Sequence, residues 1–65
     1  MKYLFMVCLM LGFVDQVSDN IALVEYENSG QSKYIILSLD NSLCFPREGQ
    51  RVIFDSNRIV LCIDN

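Results

Sequence analysis

The side chains in this chain best suited to chemistry are three cysteines, Cys8, Cys44 and Cys62, and five aspartates, Asp15, Asp19, Asp40, Asp55 and Asp64. Histidine is absent. That removes the usual general base for activating a cysteine or serine nucleophile, and the most common nitrogen ligand for a metal. The cysteines are scattered and lack the C-x-x-C spacing of structural zinc sites. Carboxylate oxygens suit a hard cation, but none of the aspartates lies in a D-x-D-x-D-G loop. Asp19, Asp40 and Asp55 each adjoin Asn or Ser and read as turn residues, whose short polar side chains bond the local backbone. The sequence contains no phosphate-cradling glycine loop and no N-x-S/T acceptor. The expectation is a non-enzymatic protein with no catalytic residue, no cofactor and no metal site.

What remains for the cysteines depends on the first dozen residues. All three methionines, Met1, Met6 and Met10, fall there with Leu4, Leu9 and Leu11; after Gly12 the apolar residues become largely Val and Ile. Leu and Met favour helix, whereas Val and Ile favour strand. Lys2 precedes an uncharged run from Tyr3 to Val14. That run is short for a membrane-spanning helix, which needs about 20 residues, and suits the apolar core of a secretory signal. The segment 1–12 is therefore read as an apolar, helical leader and 13–65 as the folded domain. The cleavage pattern does not fit well. A cut after Gly12 leaves bulky Met10 at −3, and one after Ser18 leaves Gln16 there and removes the first strand. Behind the export signal rank two other readings: a core segment of a cytoplasmic domain, and a short membrane anchor retaining residues 1–14.

Removal of Cys8 with a leader leaves Cys44 and Cys62 as an even pair. An exported domain this small gains from a disulfide in an oxidising compartment. With 17 residues between the two, the chain-entropy treatment gives about 3 kcal/mol. Buried thiols packing as small hydrophobes are the alternative, strongest for Cys62, which lies in an apolar run.

The elements that must position these residues are strands. Phe13–Tyr26, FVDQVSDNIALVEY, reads as two strands joined across Ser18-Asp19-Asn20, and it is the hairpin on which the rest packs. In its second arm Ala22, Val24 and Tyr26 share one face, read as buried. Ile21, Leu23, Glu25 and Glu27 share the other. A polar loop at 27–32 leads to a third strand, Lys33–Leu39. This strand is apolar on both faces near its middle, as a central strand would be. Pro46 and Gly49 break the chain before Arg51–Phe54, and Asp55-Ser56-Asn57 turns it into Arg58–Ile63. Five short antiparallel strands without a helical period after residue 12 give an all-β domain. Its size suits a small, partly open barrel of SH3-like or OB-like kind, since closure removes exposed strand edges.

These segments resemble a family of short uncharacterised bacterial and phage proteins. The shared pattern is Val-Asp-x-aliphatic, a turn, Ala-x-Val-Glu, then Pro-x-x-Gly before a strand. It is carried here by Val14, Asp15, Gln16, Val17, Ala22, Leu23, Val24, Glu25, Pro46, Gly49 and Val52. The resemblance implies a small β-barrel and transfers no activity. This chain departs from it in the apolar leader and the extra cysteines.

The chain has 65 residues, 52% of them hydrophobic, and a net charge of −3. The length allows one domain, and the hydrophobic content argues against disorder. The charge repels phosphate backbones. Lys33, Tyr34, Arg47, Arg51, Phe54 and Arg58 are the residues a nucleic-acid face could use, and Tyr34 and Phe54 read better as core. The function expected is an exported binding or structural accessory module with a protein partner. The alternative is a cytoplasmic, phage-type barrel that binds nucleic acid or a protein.

Overall fold

The computed structural model describes residues 9–63. It is all-β: β1 (Met10–Ser18), β2 (Ile21–Asn28), β3 (Gln31–Ser38), β4 (Arg51–Phe54) and β5 (Ile59–Ile63). They form one antiparallel sheet in the order β3-β2-β1-β4-β5. The expected hairpin is β1–β2, and β1 is the middle strand, paired on both sides. Tight two-residue turns close β1–β2 and β2–β3. In the first, Asp19 adopts a φ of 54°, a conformation that the short side chain of Asp tolerates.

Two expectations need correction. β1 starts at Met10, so Met10–Gly12, assigned to a helical leader, are strand residues of the sheet. The remainder of that leader, residues 1–8, lies outside the described residues, as does Asp64. β3 is an edge strand and not a central one. Its apolarity on both faces has another cause: the outer face of the sheet is itself apolar, and Ile36 there is 63% exposed.

The inner face carries the core, formed by Val14, Ala22, Val24, Leu37, Leu39, Val52, Phe54 and Ile59. Alternation along the strands produces it: Ala22 and Val24 point in while Ile21 is exposed. Packing is close at Gly12. A Cβ there would lie 2.5 Å from Cγ1 of Val24 and 2.7 Å from Cε1 of Phe54, distances at which real atoms do not sit. The absent side chain lets the Phe54 ring lie across β1 and meet Tyr26 edge-on, with centroids 5.5 Å apart.

At Asp15 β1 bulges. Before the bulge, Met10–Phe13 pair with β4; from Phe13 onward β1 pairs with β2. Val14 exchanges backbone hydrogen bonds with the Pro46–Gln50 segment: its amide donates to Gln50 O at 2.9 Å, and its carbonyl accepts from Gly49 N at 2.8 Å. Arg47 O accepts from Gln50 N at 3.1 Å, and Gly49 has φ 87°, a value that type II turns require at this position. The Pro-x-x-Gly segment is thus a turn that docks on the bulge.

The connection 39–50 crosses from the β3 edge to the β5 edge. Leu43 N donates to Ile59 O at 2.9 Å, and Ile59 N donates to Ser42 Oγ at 2.9 Å. Cys44 and Cys62 form a disulfide, with Cα atoms 6.1 Å apart. The bond ties the connection to β5 against the core.

Gly12→Ala is expected to cost about 1–3 kcal/mol through overpacking, and Phe54→Leu in the same chain to return part of it. Urea titration of both variants checks this, and an unchanged midpoint for Gly12→Ala contradicts the packing account. Reduction of the disulfide should lower stability by about 3 kcal/mol; superimposable urea curves with and without reductant would refute that figure.

Candidate interaction surface

Among the described residues nothing covers the face of the sheet opposite the core, and that face is largely apolar. In antiparallel pairs directly opposed residues project on the same side, so the register defines this surface. One rung crosses every strand: Tyr34, Glu25, Phe13, Arg51 and Ile63. A second joins Leu11, Ile53 and Leu61. Tyr34 is 56% exposed, Phe13 42%, and Leu11 and Leu61 more than half. Soluble domains seldom leave contiguous apolar patches uncovered beyond a few hundred Å², and those that do use them for contacts. An aromatic and an arginine amid aliphatic residues is the composition enriched at protein interfaces.

Two depressions mark this surface. Where β1 leaves β2, the ladder stops at Phe13↔Glu25. A cavity of about 460 Å³ opens there, lined among others by Leu11, Phe13, Glu25, Glu27 and Arg51. A smaller trough of about 240 Å³ runs between Gln16, Ser18, Ile21, Leu23 and Ile36.

Of the residues singled out for chemistry that lie among the described residues, the structure brings together only Cys44 and Cys62. Among the described residues no cluster of three His, Cys, Asp or Glu could hold a metal ion. Asp15 is the bulge residue, and Asp19 and Asp40 lie at turns. Asp55 forms an Asx-turn, its Oδ1 accepting from Asn57 N at 2.8 Å and Arg58 N at 3.0 Å. The Asn57 amide, together with the amide and charge of Arg58, holds the Asp55 carboxyl below its ordinary range against a smaller opposing effect of desolvation.

The residues considered for nucleic acid do not form one face. Phe54 is in the core. Tyr34, expected in or near the core, is exposed with Arg51 on the outer rung. Arg47 lies in the connection and Arg58 beside the Asp55 turn. No helix among the described residues is long and apolar enough to cross a membrane.

The sequence reading missed Leu11, Phe13, Ile36 and Leu61 as a surface. A signal was present: Ile21 and Leu23 share a face with Glu25, and β3 is apolar on both sides. Comparison with family models, curated proteins and solved structures gives no match.

A carboxyl whose folded pKa is depressed contributes stability above its unfolded pKa and loses it as the pH falls through the folded value. The thermal midpoint should therefore fall as the pH drops from about 5 to about 2, and Asp55→Ala should flatten part of that fall. Parallel pH profiles for the two proteins would show that the Asx-turn carboxylate is not involved.

Proposed function

We propose that the chain is an exported, non-enzymatic module that binds a protein partner through the outer face of its sheet. The observation that carries this is the apolar face that the described residues leave uncovered on a sheet whose core lies on the other side. The disulfide is compatible with an oxidising compartment. It also suits a binding role, because it stiffens the connection behind the sheet and leaves the outer face free.

The fold reads as a partly open barrel of SH3-like or OB-like kind. Two features support this. β1 changes partners at its bulge, as a strand does when it turns a barrel corner. Residues 38–43 then run from the end of β3 to the start of β5, where a closing pair would sit. The resemblance to small bacterial and phage proteins fits the same picture: Val14, Ala22, Val24 and Val52 are core residues, and the Pro-x-x-Gly turn docks on the bulge. Any export signal on this sheet must end before Met10, because cleavage after Gly12 would strip Met10, Leu11 and Gly12 from their pairing with β4.

The test is site-directed photo-crosslinking in the cells that make the protein. A photoreactive residue at Ile36 or Leu61 should give an adduct of discrete mass. One at Asn57, on the exposed tip of the β4–β5 turn, should not. If neither Ile36 nor Leu61 yields an adduct, the outer face is not the binding surface.

A further inference from the structure

On the rung centred at Phe13 the two charges, Glu25 and Arg51, are arranged to complement themselves. In the rung Tyr34, Glu25, Phe13, Arg51, Ile63 the centre is Phe13 on the middle strand. Glu25 and Arg51 stand one strand to either side, each about 4.8 Å away in the hydrogen-bonding direction. Apolar residues end the rung. Among the described residues neither Glu25 nor Arg51 has an ion-pair partner. A partner able to satisfy both charges needs a base and an acid separated by the same interval across an apolar centre. This face itself has that arrangement.

We propose that the outer face is an interface between two copies of this chain, related by a twofold axis that runs along β1 in the plane of contact. The proposal rests on the protein-binding reading above and names the partner. A half-turn about an axis parallel to a strand exchanges the neighbours on its left and right and leaves heights along the strand unchanged. Phe13 then faces Phe13 of the second copy, and Glu25 faces Arg51 of the second copy, twice over. Tyr34 comes opposite Ile63, and Leu11, also on β1, opposite Leu11. A twofold axis at right angles to the strands would set Glu25 on Glu25 and Arg51 on Arg51, which like-charge repulsion opposes. The charge pattern therefore selects one of the two closed arrangements open to a stacked pair of sheets, and aligned sheet packing is the geometry it selects.

The strip is narrow. Its five strands span about 19 Å, so the contact falls short of the roughly 800 Å² per partner of a standard interface. The dimer is accordingly weak and reversible.

The test is sedimentation equilibrium of the oxidised full chain from about 10 µM to about 1 mM. A concentration-dependent monomer–dimer equilibrium is expected. Glu25→Arg alone and Arg51→Glu alone each place like charges at both contacts and should weaken association at least about tenfold; E25R/R51E together restores the complement and should recover it to within about threefold. If a reversal unfolds the chain, Glu25→Gln and Arg51→Gln make the same comparison by removing charge only, and each should weaken the dimer. A monomer over the whole range overturns the proposal, as does a double reversal that fails to recover. The crosslinking experiment separates this failure from that of the broader reading. An adduct with a mass other than two copies of this chain retains the binding face and removes the self-pairing, whereas no adduct removes both.

Discussion

Residue 12 has no side chain, and the Phe54 ring fills the space this leaves. That close fit is the constraint on which the domain is built. The β1–β2 ladder ends at Phe13↔Glu25, so the backbone does not hold β2 to Met10–Gly12, the first residues of β1. The junction is made instead by side chains crossing beneath Gly12: Phe54 from β4, Val24 and Tyr26 from β2. An alanine at this position would push the two halves of the sheet apart. With glycine, one aromatic ring belongs to both halves, and the small core stays continuous from β2 to β5. Close packing of this sort transmits any displacement directly.

The two outer strands are treated differently. β5 is covered by Ser42, Leu43 and the Cys44–Cys62 bond, and Gln50 Nε2 donates to Ile63 O at 3.2 Å. Among the described residues none gives β3 such cover along Gln31–Ile36; its exposed side chains include Lys33, a charge of the kind that discourages edge-to-edge pairing. The long connection thus secures one edge of the sheet, covers part of the core with Leu39 and Pro46, and brings the Gly49 turn back to the bulge of β1.

Much of this was legible in the residues. The alternation of Ala22, Val24 and Tyr26 against Ile21, Leu23 and Glu25 gave the inward face of β2. Ser18-Asp19-Asn20 marked its turn, and Arg51–Phe54 and Ile59–Ile63 emerged as strands close to where they were expected. The Cys44–Cys62 bond was inferred from counting and chain length. Other features depended on contacts that no local pattern encodes. Met10 and Leu11 have helical propensity, but pairing with Phe54 and Ile53 overrides it. The apolar middle of β3 looked central because burial on both faces is the usual cause of such a run; an exposed apolar face produces the same letters. The rung through Phe13 depends on the register of four strand pairs, including a bulge that shifts β1 by one residue, and register of that kind is not readable from spacing.

The pairing of Met10 with Phe54 also fixes an order of events during synthesis. β1, β2 and β3 follow one another through two-residue turns, so they can associate as soon as they leave the ribosome. β4 is the partner for the remaining side of β1 and is made only after the whole connection has emerged. Such distant pairing is slow, because the closure entropy must be met before the contact forms. Until then Met10–Phe13 present a bare backbone rim next to an unfilled space at Gly12, the condition in which nascent chains join one another. Oxidation of Cys44 comes later still, since its partner Cys62 lies in β5, which follows β4 in the chain.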